Sequence, residues 1–214
     1  MKRFTQFLKP LLLLGILCLN LNSQAATARS QHTIVILGDS LSAEYGLSRG
    51  QGWVALLEKR LQESKIEAKV VNASISGETS SGGKSRLEAL LKKHQPDFLV
   101  IELGGNDALR GLSLTATEAN FRTMLQLSQQ YKAQALLVGM RIPPNYGTQY
   151  AEQFFQMYGR LAKQEKVSLV PFLLEGVADK DQLFQPDRIH PNAAAHPIML
   201  ENVWRELKPL LLKK

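Results

Sequence analysis

The alternation of strand-like and helix-like segments from His32 onward is the feature that most constrains the fold. Short runs of branched apolar residues are followed by stretches whose apolar residues recur at helical spacing. The predicted strands are 33–37, 69–72, 97–103, 135–139 and 167–170. The predicted helices are 53–65, 80–94, 115–131, 148–165 and a last one that ends near Leu211. This alternation predicts an α/β fold in which a mostly parallel, five-stranded sheet is covered by helices on both faces.

Polar or glycine-rich segments follow every predicted strand. These segments are 38–40, 72–77, 104–107, 141–146 and 187–190. In open parallel sheets, binding sites lie beyond the carboxyl ends of the strands. We therefore expect the five segments, which are far apart in the sequence, to meet at one edge of the sheet.

Two of these segments together carry the residues of a nucleophilic site. Ser40 follows the first strand, where a turn would present its hydroxyl, and a serine hydroxyl is a weak nucleophile until a base removes its proton. Asp187 precedes His190 by three residues, so its carboxylate can accept the Nδ1–H of the imidazole and leave Nε2 free for Ser40. Taken separately, Ser40 also fits a turn or a helix cap, and the Asp187 segment also fits a surface turn.

Acyl transfer also needs donors for the negative charge that develops on the carbonyl oxygen. The candidates are the backbone N–H of Ser40, the backbone N–H of Gly77 and the side-chain amide of Asn106. Glycine lets the backbone approach a substrate closely, and Asn106 follows a Gly-Gly pair that can aim its amide inward. The alternative for each is an ordinary turn residue.

Two further predictions concern structure rather than chemistry. His196 has no carboxylate at useful spacing, so we expect it to have a structural role or to lie at the rim of the site. Thr115 and Glu118 have the spacing of a capping box, which predicts that a helix begins at Thr115.

Residues 1–28 have the pattern of a secretory signal peptide. Lys2 and Arg3 precede an apolar run that is too short to span a bilayer, and small-x-small patterns follow it near residues 25 and 28. We expect cleavage there, export to the periplasm or the medium, and a single domain over 29–214. The alternative is an uncleaved N-terminal anchor.

Charge and cysteine content exclude several classes of function. Removal of Lys2, Arg3 and Lys9 lowers the formal net charge from +7 to +4, and the remaining basic residues are dispersed, so nucleic-acid binding is not expected. The single cysteine, Cys18, lies in the apolar run, which leaves the mature chain without disulfides, thiolate nucleophiles or cysteine ligands. We expect no metal and no cofactor, because no cluster has metal-ligand spacing.

The sequence resembles the SGNH, or GDSL, hydrolases. The resemblance rests on four blocks in the family's order, which span residues 34–197: Gly38-Asp-Ser-Leu-Ser42, Gly77, Gly104-Gly-Asn-Asp107 and Asp187-x-x-His-Pro-Asn192. Details at 43–46, 106–111 and 141–147 resemble its periplasmic branch of thioesterase I, lysophospholipase L1 and arylesterase. The resemblance implies a three-layer, flavodoxin-like fold and activity on acyl thioesters, aryl esters and single-chain phospholipids. It also implies the roles suggested above for Ser40, Gly77, Asn106, Asp187 and His190.

The expected activity is hydrolysis of an ester or thioester through an acyl intermediate on Ser40. As a hypothesis, the acyl chain lies along Leu109, Leu112 and Ile142, which are otherwise ordinary core or rim residues. We expect a monomer whose partner is a small-molecule ester, thioester or lysophospholipid, without a stable membrane anchor. Two alternatives stay open, namely an acyltransferase that uses the same acyl-enzyme and a non-catalytic acyl-binding module.

Overall fold

The computed structural model describes Met1 and residues 31–213, and a five-stranded sheet lies at its centre. The strands are β1 His32–Gly38, β2 Ala68–Asn72, β3 Phe98–Glu102, β4 Gln134–Val138 and β5 Ser168–Val170. Their order is β2-β1-β3-β4-β5, and every neighbouring pair is parallel. The predicted α/β fold with a parallel sheet is confirmed.

Helices cover the sheet on both faces. They are α1 Trp53–Glu63, α2 Ser80–His94, α3 Gly105–Leu109, α4 Leu114–Gln130, α5 Thr148–Glu165 and α6 His196–Leu212. Helix α1 contacts α6, whereas α2 contacts α4 and α4 contacts α5. All five residues of β3 are buried, as expected for a central strand that is packed on both faces.

The structure differs from the sequence predictions around the third strand. Residues 105–107 of the glycine-rich segment after the third strand form the start of a short helix, α3, that was not among the predicted helices. Helix α4 begins at Leu114, because the hydroxyl of Ser113 accepts a hydrogen bond from Ala116 N–H and caps the helix. The capping box predicted at Thr115 is therefore wrong, and the nearest cap-forming hydroxyl lies two residues earlier.

The strand order places the expected site at a reversal in the sheet. Strand β1 lies between β2 and β3, so the chain extends the sheet first to one side of β1 and then to the other. Ligands of open α/β sheets bind at this kind of switch point, beyond the carboxyl ends of the strands.

The predicted signal peptide, residues 1–28, lies outside the described residues except for Met1. Within the part of the chain that the structure describes, no helix is long and apolar enough to cross a membrane.

Candidate active site

Ser40 lies in a tight turn at the carboxyl end of β1. The carbonyl of Asp39 accepts hydrogen bonds from the N–H groups of Ser42 and Ala43, and Asp39 Oδ1 accepts a third from Leu41 N–H at 3.0 Å. Gly38 has no space for a side chain, since a Cβ there would lie 2.7 Å from Ser42. The turn holds Ser40 half-buried at the edge of the sheet.

The structure brings Ser40, His190 and Asp187 into one chain of hydrogen bonds. The Nε2 atom of His190 lies 3.0 Å from Ser40 Oγ, although the two residues are 150 positions apart. The Nδ1 atom of His190 lies 2.6 Å from Asp187 Oδ2. A carboxylate only accepts hydrogen bonds, so this contact places the imidazole proton on Nδ1 and leaves the lone pair of Nε2 directed at the hydroxyl.

Asp187 is held as a carboxylate by its own loop. Its Oδ1 atom accepts hydrogen bonds from the backbone N–H groups of Ile189 and His190, both at 3.0 Å. Desolvation raises the pKa of Asp187, but these two N–H groups and the His190 imidazole outweigh it and lower the pKa to about 2. Asp187 therefore stays ionised at neutral pH and can orient the imidazole.

Tyr45 covers the imidazole of His190 and was not predicted from the sequence. The two ring centroids are 4.3 Å apart with an interplanar angle of 36°. Gln185 fixes both partners, because its Nε2 donates to the carbonyls of Tyr45 and Pro191 and its N–H donates to the carbonyl of His190. The contact joins segments that are 145 positions apart, so no local pattern could indicate it.

Asn106 lies in the first turn of α3, beside the Ser40 turn. Gly104, which precedes the helix with a φ of 100°, adopts a conformation that favours glycine. The Asn106 Nδ2 atom donates to Asp39 Oδ2 at 3.1 Å. An amide nitrogen carries two hydrogens, so one remains for a substrate oxygen.

Gly77 lies in the loop after β2, which is tied to the end of β1. Ile75 N–H donates to the carbonyl of Gly38 at 3.0 Å. Gly77 has a φ of 79°, and its carbonyl accepts a hydrogen bond from Arg110 Nη2 at 3.0 Å. Arg110 ends helix α3, which carries Asn106, so this contact joins that helix to the loop that carries Gly77.

The residues predicted to contact the acyl chain differ in exposure. Leu112 is 42% exposed and its carbonyl accepts a hydrogen bond from Tyr150. Leu109 is partly buried against the core, and Ile142 is a core residue that is 8% exposed. Of the three, Leu112 has the most surface available to a ligand.

Two buried carboxyl groups beneath the Ser40 turn were missed by the sequence reasoning. Asp39 is 2% exposed and Glu102, the last residue of β3, is fully buried. Burial raises the pKa of Asp39 to about 6, against the opposing effect of hydrogen bonds from Leu41 and Asn106. Burial, and then the charge of Asp39, raise the pKa of Glu102 well above its usual range. A glutamate at the end of an otherwise apolar strand is the signal that could have indicated them.

His196 was expected either to have a structural role or to lie at the rim of the site, and the structure gives it a structural role. It is 2% exposed, and its Nδ1 atom accepts a hydrogen bond from Trp53 N–H at 3.0 Å. That N–H belongs to the first residue of α1, whose preceding residue Gly52 offers no side-chain cap. Desolvation lowers the pKa of His196, which favours the neutral acceptor form.

The chain is similar to proteins of known activity over most of its length. The model of the GDSL-like Lipase/Acylhydrolase family matches residues 36–198. Esterase TesA of Pseudomonas aeruginosa is 51% identical over 204 residues, which cover 95% of this chain and 100% of that protein. Thioesterase 1/protease 1/lysophospholipase L1 of Escherichia coli strain K12 is 46% identical over 184 residues, covering 86% of this chain and 87% of the relative. The crystal structure of the psychrotrophic esterase EstA from Pseudoalteromonas sp. matches with a TM-score of 0.81 at 38% identity, covering 86% of this chain and 100% of that one.

Proposed function

The chain belongs to the GDSL-like lipase/acylhydrolase family and is a hydrolase of esters and thioesters, and we propose that it acts through an acyl intermediate on Ser40. The observation that carries this proposal is the relay from Ser40 Oγ through His190 to Asp187, with distances of 3.0 and 2.6 Å. A base aimed at a serine hydroxyl and oriented by a carboxylate is the arrangement that nucleophilic acyl transfer requires.

In the first step, Ser40 Oγ attacks the carbonyl carbon of the substrate. His190 Nε2 takes the hydroxyl proton as the new C–O bond forms, and Asp187 stabilises the resulting imidazolium. The proton then passes to the leaving alcohol or thiol, and the bond to that group breaks. The product of this step is an ester between the acyl group and Ser40.

The negative charge on the carbonyl oxygen is proposed to rest on three donors. These are the N–H groups of Ser40 and Gly77 and the second Nδ2 hydrogen of Asn106. Support comes from two hydrogen bonds that hold Asn106 and Gly77 in place. The Asn106 amide donates to Asp39, and Arg110 donates to the Gly77 carbonyl. Donors that are oriented in advance stabilise the charge without reorganisation, and the loss of one typically costs about 10²–10³ in rate.

The second step returns the enzyme to its starting state. A water molecule takes the place of the leaving group, and His190 removes its proton while the oxygen attacks the acyl carbon. The same donors stabilise the second tetrahedral intermediate. The proton returns to Ser40 Oγ as the carboxylic acid leaves, so that one water is consumed for each ester cleaved.

For substrates, we propose aryl esters, acyl thioesters and single-chain phospholipids. The names of two relatives, an esterase and a thioesterase that is also called a lysophospholipase, support esters, thioesters and single-chain phospholipids. Aryl esters are proposed from the resemblance of residues 43–46, 106–111 and 141–147 to the branch that includes arylesterase. The acyl chain is proposed to lie along Leu109, Leu112 and Ile142. The enzyme is further proposed to be a monomer and to be exported after removal of residues 1–28. The N-terminal sequence pattern supports the export.

Hydrolysis of a p-nitrophenyl acyl ester by Ser40→Ala tests the nucleophile. We expect loss of kcat by at least about 10³-fold with an unchanged melting curve, because no other group takes over the attack. A fluorophosphonate should label wild type at Ser40 and leave the variant unlabelled. Turnover close to wild type in Ser40→Ala would refute the assignment, and product analysis with an added alcohol separates hydrolysis from acyl transfer.

A further inference from the structure

The two carboxyl groups beneath Ser40 form a pair that the proposed mechanism does not use as acid or base. Glu102 pairs with Gly38 in the register of β3 and β1, which places it beside the turn that begins at Asp39. The charge of Asp39 adds to the effect of burial in raising the pKa of Glu102. Two ionised carboxylates in adjacent buried positions repel each other with little solvent to screen them, which favours a proton on one of the two.

The hydrogen bonds around the pair indicate which carboxyl carries that proton. Asp39 accepts at both oxygens, from Leu41 N–H at Oδ1 and from the Asn106 amide at Oδ2. Glu102 Oε2 also accepts twice, from Ser42 Oγ at 2.6 Å and from Asp39 N–H at 3.4 Å. Glu102 Oε1 is buried without a protein donor or acceptor among the described residues. A negative charge on a carboxyl group with one undonated, buried oxygen is costly, whereas each oxygen of Asp39 has its own donor, so the proton is expected on Glu102.

We propose that Glu102 is a neutral carboxylic acid beside an ionised Asp39, and that Glu102 is a positioning residue for the catalytic turn. By holding the proton, Glu102 keeps Asp39 an oriented carboxylate. Asp39 then fixes the N–H of Leu41, next to Ser40, and the amide of Asn106. The inference rests on the proposed function, because Ser40 and Asn106 are the groups that the pair holds in place.

The charges that face the pair fit this distribution of the proton. Asp107 from α3 raises the pKa of Asp39 and His190 from the loop after β5 lowers it, whereas burial, the largest effect, raises it to about 6. The Tyr158 hydroxyl donates to the carbonyl of Leu103 beside Glu102, and burial and nearby acids raise its own pKa. Glu102 is the more deeply buried acid, and its pKa lies well above the usual range. The deeper burial of Glu102 and its oxygen without a donor both favour a proton on Glu102 rather than on Asp39.

Infrared difference spectroscopy between wild type and Glu102→Gln at neutral pH tests where the proton lies. Wild type should show the C=O stretch of a neutral carboxylic acid, shifted in D₂O, and Glu102→Gln should lose it. Glu118→Gln is the matched control, because Glu118 is ion-paired with Arg122 and Arg160 and should contribute no such band. Absence of the band from wild type, or its persistence in Glu102→Gln, would overturn the proposal.

Steady-state kinetics test the positioning role. Glu102→Ala removes the acceptor for Ser42 Oγ and for Asp39 N–H, and kcat should fall by about 10²-fold, as for the loss of one oxyanion donor, with little change in KM. Glu102→Gln should recover most of that loss, because an amide offers one donor and one acceptor in the same place. A Glu102→Gln enzyme as slow as Glu102→Ala would show that an ionised carboxylate is needed and contradict the proposal.

A negative result for Glu102 can be distinguished from a failure of the proposed function. The infrared band does not depend on which residue is the nucleophile, and fluorophosphonate labelling of Ser40 reports the nucleophile without reference to Glu102. If Glu102→Ala does not fold, the infrared band and the kcat of Glu102→Gln decide the question.

Discussion

At the residue scale, each proposed catalytic side chain takes its direction from a neighbour. The imidazole of His190 lies between the Tyr45 ring and Ser40 Oγ, and its far nitrogen contacts Asp187. The amide of Asn106 is held by Asp39. The site is therefore oriented before a substrate arrives, which is the condition under which hydrogen-bond donors and bases are most effective.

Asp187→Asn is predicted to lower kcat by about 10⁴-fold while the fold is retained. An asparagine amide can donate to Nδ1, which would move the imidazole proton to Nε2 and remove the lone pair that faces Ser40. The kcat for a p-nitrophenyl acyl ester measures the effect, and circular dichroism checks the fold.

The matched control for this variant is Asp181→Asn. Asp181 pairs with Arg188 in the same region of the chain, but both side chains are largely exposed, so kcat should not change. An Asp187→Asn enzyme with more than about a tenth of the wild-type kcat would show that the tautomer does not limit the reaction.

Site residues were predictable where a local sequence pattern marks them, and were missed where their role depends on a contact with a residue far away in the sequence. Asp187 and His190 are three positions apart, and Ser40 follows a recognisable strand, so local patterns indicated all three as candidates, and the structure brings them together. Tyr45 and Glu102 contact residues that are 145 and 63 positions away. Their roles depend on strand order and loop packing, which no local pattern contains.

At the element scale, the carboxyl end of β1 is the part of the sheet on which the site depends most. Gly38→Ala is predicted to lower the free energy of unfolding by about 1–3 kcal/mol and to lower kcat. The new Cβ would lie 2.7 Å from Ser42 and 2.8 Å from Ser74, so the turn that presents Ser40 must shift. Denaturant unfolding and ester hydrolysis measure the two effects.

Gly159→Ala separates this steric effect from the general effect of adding a methyl group. Gly159 lies inside α5, where a Cβ meets nothing within 4 Å, so the variant should be more stable by about 0.5–1 kcal/mol with an unchanged kcat. If Gly38→Ala were as stable and active as wild type, the close contacts at the end of β1 would not constrain the turn.

The strands and the long helices were predictable from hydrophobic patterning, and the short helix α3 was not. All five strands and the helices of eleven or more residues were found to within a few positions. Helix α3 has five residues, which is too short for an apolar repeat to appear, and yet it carries Asn106. The element that positions one proposed oxyanion donor is thus the one that hydrophobic patterning could not detect.

At the scale of the whole molecule, the two aspartates of the site are predicted to affect stability in opposite directions as pH changes. The pKa of Asp39 is about 6 in the folded chain against an ordinary value of 3.8, so between these values the folded state holds a proton that the unfolded state has lost. The free energy of unfolding should fall as pH rises from about 4 to above 6, by on the order of 3 kcal/mol. The pKa of Asp187 is about 2, so its contribution is present above pH 3.8 and is lost as pH falls toward 2.

Urea unfolding of wild type, Asp39→Asn and Asp187→Asn over a series of pH values checks these signs. The free energy of unfolding of wild type minus that of Asp39→Asn should decrease as pH rises from 4 to 6. Hydrogen bonds lost in the variant change this difference by the same amount at every pH and do not affect its slope. Relative to Asp187→Asn, wild type should lose stability as pH falls below about 4. If the wild-type and Asp39→Asn profiles were parallel between pH 4 and 6, Asp39 would not titrate there. Burial would then not raise the pKa of Asp39. If the wild-type and Asp187→Asn profiles were parallel below pH 4, the pKa of Asp187 would not be lowered, and its proposed role as an ionised partner of His190 would lose its basis.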